Sequence, residues 1–205
     1  MFRQSQRSQD NAYLRDLTEQ RRQKDLFFAN ASQSPIPHEE RHGRFAGLAY
    51  YRPDPAFRVT AQVVSFEQPE IVQMATSTGE LRPQARYAEL RFQLAGQPYR
   101  LFGFTDPHDR HAHELFVPFR DATSGHETYG AGRYLEVELD SHADGAQSAM
   151  IDFNLAYNPY CAYSHAYSCP IPPAENRLPI AITAGERAYA GGAHDHPDHP
   201  DHPDH

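Results

Sequence analysis

The chain has 205 residues, of which 39% are apolar and 12% aromatic, so it is long and apolar enough to build a single folded core. Its formal net charge of −8 argues against binding to a nucleic acid backbone, which requires a basic surface. No stretch approaches the roughly 18 consecutive apolar residues of a membrane helix, and the polar residues 1–23 do not resemble a signal peptide. We therefore predict a cytoplasmic protein that binds neither nucleic acid nor membrane.

The N-terminal part of the chain predicts one helix followed by an extended connector. Between Asp10 and Phe28, leucines at positions 14 and 17 and the cluster Leu26–Phe28 form an intermittent apolar stripe among charged residues. The prolines of the segment Ser34–Pro37 end any helix, because proline lacks the amide donor and restricts the residue before it. Residues 1–35 are therefore interpreted as a helix and connector that precede the main domain.

From residue 36 onward the sequence predicts a mainly β domain. Its clearest strand is Tyr87–Leu94, where apolar and polar residues alternate, and a short loop makes Tyr99–Thr105 the hairpin partner. Further strands are predicted at Phe45–Tyr51, Phe57–Val64, His113–Phe119, Tyr134–Leu139, Ile151–Asn154 and Pro179–Thr183. Many short strands separated by Gly and Pro turns favour a single antiparallel β-barrel or a sandwich-like domain over residues 36–189.

Residues 190–205 differ in composition, with glycines followed by repeats of histidine, proline and aspartate. This low-complexity tail is predicted to be disordered. Its imidazole and carboxylate groups predict weak binding of divalent metal ions, because a disordered tail loses entropy when it binds. The histidines concerned are His194, His196, His199, His202 and His205.

The loop Phe119–Arg133 is the first candidate site. Its fifteen residues include two arginines, two carboxylates, a tyrosine and three glycines, a mixture that can surround a polar ligand. Its candidate ligand-binding residues are Arg120, Tyr129 and Arg133, and its candidate general bases are Asp121 and Glu127. The alternative is a loop in which arginine and aspartate only satisfy each other.

A second candidate site lies between Asp152 and Pro170, where side chains with hydrogen-bonding or ligand chemistry are crowded together. Such groups are costly to bury unless they pair with one another, with the backbone or with a ligand. Asp152 is a third candidate base. The candidate ligand-binding residues are Asn154, Tyr157, Asn158, Cys161 and Cys169.

The two cysteines of this segment allow more than one interpretation. Cys161, His165 and Cys169 are spaced four residues apart and would align as metal ligands on a helix. The flanking residues Pro159 and Pro170 disfavour a long helix, so a loop held by tyrosine hydrogen bonds is the favoured interpretation. In a reducing cytosol the cysteines are expected to be thiols or ligands rather than a structural disulfide, and in an exported protein this expectation reverses.

Two further features are weaker candidates for a site. Three prolines within Pro170–Pro173 predict a stiff, extended strap that closes the fold, with Asn176 just beyond them as a candidate ligand-binding residue. His108, His111 and His113 form a separate cluster, but they follow Asp106 and Pro107 in a polar loop. Solvated histidines are common in such loops, so a surface cluster is favoured over a zinc site.

These segments together resemble a bacterial and archaeal family catalogued as domain of unknown function sixteen eighty-four. The resemblance extends over residues 22–186. It is carried by Lys24, Asp25, Phe27, Phe28, Ser34, Pro35, Gly47, Leu48, Tyr50, Tyr51, the run Phe116–Tyr134, Asp152, Phe153, Asn154, Ala156, Tyr157, Asn158, Pro159, Cys161, Ala162, Tyr163, Cys169, Pro170, Pro172, Pro173, Asn176, Leu178, Ala184, Gly185 and Glu186.

The resemblance implies a residue pattern without an activity. Its members are Arg120, Asp121, Gly125, Tyr129, Gly130, Gly132, Arg133, Asp152, Asn154, Asn158, Cys161 and Cys169. His165 and the cluster His108–His113 do not belong to it, and the tail is an addition of this chain. Some relatives look exported, where the two cysteines would be able to pair.

Three functions follow from these observations. The leading hypothesis is a small-ligand or metabolite binding domain, with a polar and aromatic pocket between Phe119–Arg133 and Asp152–Cys169. The second is a hydrolase-like enzyme that uses paired carboxylates with an arginine. The third is a structural or protein-interaction domain.

Overall fold

The computed structural model describes residues 2–42, 45–109, 111–141 and 147–191. The predicted tail histidines, from His194 onward, lie outside the described residues. In chain order the elements are helix α1 (Phe2–Asn30), helix α2 (His38–Arg41) and strands β1 (Arg58–Ala75), β2 (Leu81–Leu94), β3 (Gln97–Thr105), β4 (Glu114–Phe119), β5 (Arg133–Ser141) and β6 (Gln147–Asp152). Short 3₁₀ turns connect some of these elements, among them Phe153–Leu155, Tyr160–Ala162 and Ala174–Asn176.

The six strands form a closed antiparallel barrel in which neighbours follow chain order. β6 closes the barrel on β1, with Arg58 opposite Asp152 and Gln62 opposite Ser148. The alternation predicted for β2 is observed, since Leu90 and Phe92 are buried while Arg91 and Gln93 are exposed. The mainly β prediction is thus confirmed, and the open choice between barrel and sandwich is decided in favour of the barrel.

β1 and β2 are longer than predicted. β1 continues beyond Val64 to Ala75, and β2 begins at Leu81 rather than at Tyr87. Their outer halves pair with each other after a register shift, and both faces there are largely exposed. Because no buried face repeats every second residue in this part, the hydrophobic alternation that revealed the inner halves is missing.

The predicted strand Phe45–Tyr51 is wrong, because this segment is irregular apart from an isolated bridge between Tyr50 and Glu186. The backbone turns at Gly47, whose φ of 104° is unfavourable for other residues. The amide of Leu48 then donates to the Asp25 carboxylate at 3.0 Å instead of to a neighbouring strand.

The predicted strand Pro179–Thr183 is also wrong, because its backbone bonds to side chains and to the Ala122 amide of a loop rather than to a neighbouring strand. The amide of Ile182 donates to the Asp121 carboxylate at 3.1 Å, and the carbonyl of Ile182 accepts from Arg133 at 2.8 Å. The segment begins with a bend at residues 179–180 and lies outside the barrel sheet.

α1 is longer than the predicted helix Asp10–Phe28, and it packs beside the barrel through a narrow face. Leu17 and Phe28 on this face are almost fully buried. Phe28 belongs to a second, small core with Ile36, Ala162 and Tyr163, and its ring lies 4.9 Å from that of Tyr163. Within the part of the chain that the structure describes, no helix has the length and apolar character needed to cross a membrane.

Candidate functional site

Arg133, predicted as a ligand-binding residue, is completely buried at the start of β5 and bonded to protein atoms. Its guanidinium donates to the Asp121 carboxylate at 2.8 Å, and both side chains have no exposed surface. It also donates to the carbonyls of Ile182, Ala184 and Glu186, which are two residues apart along an extended segment. Arg133 therefore holds the C-terminal segment against the barrel.

Asn176, another predicted ligand-binding residue, is fully buried between β3 and β4. Its side-chain oxygen accepts from the amide of Phe102 at 2.7 Å, and its side-chain nitrogen donates to the carbonyls of Phe102 and Pro118 at 2.8 and 2.7 Å. In the described strands, β3 and β4 pair directly only at Phe104 and Phe116. The side-chain amide of Asn176 thus supplies hydrogen bonds that a strand partner would otherwise make.

Asp152 and Asn154 anchor the turn that follows β6. The Asp152 carboxylate caps the 3₁₀ turn by accepting from the Asn154 amide at 3.0 Å, and it also accepts from the Tyr13 hydroxyl at 2.8 Å. The side chain of Asn154 bonds both the amide and the carbonyl of Asp54, at 2.9 and 2.8 Å. These predicted site residues join α1 and the segment before β1 to the barrel.

The three predicted catalytic carboxylates belong to separate networks. Asp121 and Asp152 are buried, whereas Glu127 is exposed and lies 3.8 Å from Arg187. The partners are Arg133, Thr123 and Ile182 for Asp121, and Tyr13, Arg58 and Asn154 for Asp152. Since the three groups share no partner, this arrangement does not supply the paired carboxylates of the hydrolase hypothesis.

Arg120 and Asn158 complete the set of predicted polar residues. The amide of Arg120 donates to the Asn176 carbonyl at 3.0 Å, and its half-buried side chain has an Nε atom without a partner. Asn158 is buried, and its side-chain nitrogen donates to the carbonyl of Arg187 at 2.8 Å. Arg120 thus connects the chain after β4 to the turn Ala174–Asn176, and Asn158 connects the chain after β6 to the segment around Arg187.

Glu186, a residue that is only 1% exposed, is bonded to several polar groups at once. It forms an ion pair with Lys24 of α1. Its other oxygen accepts from the Tyr163 hydroxyl at 2.6 Å and from the Asn158 amide at 2.8 Å. Burial and the neighbouring Glu186 charge raise the pKa of Tyr163, so its hydroxyl stays protonated and donates.

Glycine is required immediately before this carboxylate. Gly185 has a φ of 77°, and a Cβ atom there would lie 2.6 Å from the carbonyl oxygen of Ala156. The backbone can therefore approach the turn after β6 only without a side chain. Together with the hydrogen bond from Arg133 to the Glu186 carbonyl, this close approach fixes the Glu186 carboxylate under α1.

A cavity of about 210 Å³ lies beside Glu186, between α1 and residues 154–157. We call it the helix cleft. Its lining includes Leu17, Arg21, Lys24, Tyr50, Tyr157 and Glu186. Of the predicted binding residues, Asn154 and Tyr157 contribute to the helix cleft, so the structure offers a site below α1 in addition to the pocket predicted between the two loops.

Arg21 lines the helix cleft and, unlike Lys24, has no ion-pair partner among the described residues. Its guanidinium donates to the carbonyls of Tyr51 and Asn154 at 2.8 and 3.1 Å and lies 4.5 Å above the ring of Tyr50. Among the described residues, no carboxylate lies within ion-pair distance of it, and its Nε atom is buried without a partner. Burial lowers the pKa of the Arg21 guanidinium, as expected for a charge removed from water.

A second cavity of about 460 Å³ adjoins the helix cleft. It shares Lys24 and Tyr157 with the cleft and is otherwise lined mainly by the aromatic rings of Phe27, Phe28 and Tyr160. The ammonium of Lys24 lies 5.1 Å from the ring centre of Tyr157. These two residues form the boundary between the helix cleft and the second cavity. A polar cleft and an aromatic groove thus meet at one lysine.

The predicted cysteine and histidine ligands do not form a metal site. Residues 160–162 make a single 3₁₀ turn, so Cys161, His165 and Cys169 are not aligned on a helix. Across the described ranges, no three His, Cys, Asp or Glu side chains are grouped to hold a metal ion, and this includes His108, His111 and His113. Cys161 and Cys169 are free thiols close to each other.

The model of the family described as Protein of unknown function (DUF1684) matches residues 43–187. The chain belongs to this family. A solution NMR structure of an uncharacterised protein from Haloarcula marismortui, 44% identical, has a TM-score of 0.67 and covers 88% of this chain and 96% of that one. No curated protein matches the chain. The DUF1684 assignment confirms the resemblance found in the sequence, and it brings no activity with it.

Sequence reasoning about this DUF1684 protein missed most of the helix cleft as a site. Arg21, Lys24, Tyr50 and Glu186 were not among the candidate binding residues. A signal was present, because Arg21 and Lys24 lie on the same helical face as the buried Leu17 and Phe28. Cations on the apolar face of a helix require buried partners, and these are distant in the chain: Arg21 bonds to Tyr51 and Asn154, 30 and 133 residues away, and Lys24 pairs with Glu186, 162 residues away.

Replacing Tyr163 with phenylalanine tests the Glu186 contact. The change should lower the free energy of unfolding by about 1.5 kcal/mol, because it removes a hydrogen bond to a buried charged group. Tyr189→Phe is the matched control, since the Tyr189 ring packs on Tyr163 but its hydroxyl has no hydrogen bond within the described residues. Equal losses for the two variants in urea denaturation would contradict this role for Tyr163.

Proposed function

We propose that the protein binds a small molecule carrying an anionic group, most simply a carboxylate, in the helix cleft. The observation that carries this proposal is the half-buried Arg21 guanidinium, which lines the cleft and has no carboxylate partner among the described residues. A charge removed from water is costly unless it is paired, so an anionic ligand would complete its environment.

The charges around the helix cleft support an anionic ligand. Arg21, Lys24 and Glu186 line it together, and the ion pair between Lys24 and Glu186 leaves the charge of Arg21 in excess. The guanidinium is already held by two backbone carbonyls, so little conformational entropy would be lost on binding. Burial and the neighbouring Glu186 charge raise the pKa of Tyr50, so its buried hydroxyl stays protonated as a second donor at the same cleft.

The dimensions favour a metabolite rather than a drug-sized compound. The helix cleft, at about 210 Å³, is smaller than the roughly 300–1,000 Å³ of typical ligand pockets. The adjoining groove between Phe27, Phe28 and Tyr160 would accept an apolar substituent past Lys24. We therefore favour a carboxylate with a short apolar group over a nucleotide or a sugar.

This proposal keeps the leading hypothesis of small-ligand binding but changes its location. In the pocket predicted between the two loops, Arg133 is completely buried and paired with Asp121, and Asn176 bonds to backbone groups of the barrel. Arg21 instead lines a cavity and has no carboxylate partner among the described residues. A hydrolase is less well supported, because Asp121, Glu127 and Asp152 lie in separate networks.

Thermal denaturation with a panel of carboxylates and their neutral amides tests the proposal. We expect a carboxylate to stabilise the protein, by about 2.7 kcal/mol at about one hundred times its Kd, while the matching amide has little effect. Arg21→Gln should abolish the ligand-induced rise in melting temperature, because it removes the positive charge at the cleft.

Arg22→Gln is the matched control for this experiment. Arg22 is the next residue of α1, but its side chain is 56% exposed and paired with Glu19 on the solvent side. Its variant should retain the full ligand-induced shift. A shift that persists in Arg21→Gln, equal shifts with carboxylates and amides, or no shift with any carboxylate at millimolar concentration would each overturn the proposal.

A further inference from the structure

Cys161 and Cys169 contact each other, and neither of them lines the helix cleft. The amide of Cys161 donates to the Cys169 sulfur at 3.2 Å, so this sulfur lies against the backbone that carries the other thiol. The hydroxyl of Tyr129 donates to the Cys161 sulfur at 3.6 Å. Cys161 is half-buried and Cys169 is buried, which makes Cys161 the more accessible of the two.

The backbone around each cysteine is fixed by local structure. Cys161 lies within the 3₁₀ turn Tyr160–Ala162. The carbonyl of Cys169 accepts from the Ser77 amide at 2.9 Å, and the Cys169 amide donates to the Ser77 hydroxyl at 3.1 Å, which fixes Cys169 to the turn between β1 and β2. The pair is therefore brought together by the fold across seven intervening residues.

We propose that Cys161 and Cys169 form a redox-active dithiol that exchanges with low-molecular-weight disulfides. Cys161 is the attacking thiol, Cys169 is the resolving thiol, and Tyr129 stabilises the Cys161 thiolate by donating a hydrogen bond to it. This activity does not depend on the ligand proposed for the helix cleft.

The exchange proceeds in two balanced steps. The Cys161 thiolate attacks one sulfur of a disulfide RSSR, the S–S bond breaks, and one RS⁻ leaves and takes a proton from solvent. Cys169 then loses its proton to solvent and attacks the Cys161 sulfur of the mixed disulfide, which releases the second RS⁻ to be protonated in turn. The protein dithiol is oxidised by two electrons to a Cys161–Cys169 disulfide, and RSSR is reduced to two RSH.

The electrostatics of the pair favour this order of events. A hydrogen bond with the Cys169 thiol and another from Tyr129 lower the pKa of Cys161 to about 6, so its thiolate predominates at neutral pH. The same contact with Cys161, followed by burial, raises the pKa of Cys169. Capping Cys161 as a mixed disulfide removes the thiolate, so Cys169 ionises more readily when it must attack. Tyr134 and the cation of Arg82 are the other titratable groups that act on the pair.

Treatment of the intact, folded protein with glutathione disulfide tests the proposal, with products read by mass spectrometry after alkylation of the remaining thiols. The wild-type protein should lose two hydrogens and take up no alkylating agent. Cys169→Ser should stop at one glutathione bound to Cys161, whereas Cys161→Ser should remain largely unmodified.

A second measurement is the rate at which iodoacetamide alkylates Cys161. It is made on the wild-type protein and on the Cys169→Ser variant. In the wild type the rate should rise with a midpoint near pH 6, as its thiolate forms. Tyr129→Phe should move that midpoint upward, because it removes the hydroxyl that donates to Cys161. Tyr167→Phe, a nearby half-buried tyrosine, is the control and should leave the midpoint unchanged.

Three results would overturn the proposal. The first is two free thiols in the folded wild type after excess glutathione disulfide. The second is oxidation that joins two chains instead of closing the loop from Cys161 to Cys169. The third is an alkylation midpoint near the ordinary cysteine value of 9.0 in the wild type.

Discussion

Replacing Arg133 with methionine is expected to lower the free energy of unfolding by about 3–5 kcal/mol, which is a large part of the stability of a domain this size. The variant leaves the completely buried Asp121 carboxylate without its cation and frees the carbonyls of Ile182, Ala184 and Glu186. Urea denaturation followed by circular dichroism measures the change.

The matched control is Arg187→Met, because the ion pair of Arg187 with Glu127 is about half exposed and should contribute no more than about 0.5 kcal/mol. Arg133→Lys should fall between these variants, since a single ammonium cannot reproduce the forked contacts of the guanidinium. If Arg133→Met cost no more than Arg187→Met, the role of Arg133 in holding the C-terminal segment would be wrong.

Replacing Asn176 with alanine is expected to cost about 3 kcal/mol. The side-chain amide satisfies the amide and carbonyl of Phe102 and the carbonyl of Pro118, and each buried group left without a partner costs about 1 kcal/mol or more. Because β3 and β4 have little direct pairing, this loss should weaken the barrel at that seam. Hydrogen exchange at the Phe102 amide should accelerate, since this amide donates to Asn176.

Asn30→Ala is the control for the Asn176 variant, because Asn30 makes one exposed contact with its own helix and its loss should cost well under 1 kcal/mol. Asn176→Asp provides a sharper test. The aspartate retains an acceptor for the Phe102 amide, but it replaces the donor to the carbonyls of Phe102 and Pro118 with a negatively charged oxygen. Because these oxygens repel one another, the variant should be at least as destabilised as Asn176→Ala. A stable Asn176→Asp protein with slow exchange at Phe102 would contradict the proposed bridging of the strands.

The strands of the barrel show what local sequence information can predict. The inner part of β2 was recognisable because Leu90 and Phe92 alternate with Arg91 and Gln93, a pattern that depends only on neighbouring residues. The outer halves of β1 and β2 are largely exposed, with only isolated buried residues such as Met74 and Ala85, and their pairing became visible only in the structure. The predicted strand Phe45–Tyr51 failed because the Asp25 carboxylate takes the Leu48 amide, a contact that periodicity does not encode.

The candidate site shows what local sequence information could not predict. The sequence identified Arg133 and Asp121 in one candidate loop and Asn176 beyond the proline strap as candidate site residues. It contained no information on whether their partner was a ligand or another part of the chain. The structure places them against protein atoms and leaves Arg21, on a helix that received no site prediction, with a buried charge facing the helix cleft.

The sequence by itself determined the mainly β class, the N-terminal helix, most strands and the resemblance to the DUF1684 family, because these depend on short-range alternation, turn residues and a long residue pattern. The tertiary structure decided that the barrel closes, that the Asn176 side chain bridges β3 and β4, and that Glu186 lies beneath Lys24. The physical reason is sequence separation: Asn176 and Phe102 are 74 residues apart, and Lys24 and Glu186 are 162 apart. Contacts of that span are set by how the whole chain packs, and no local pattern specifies them.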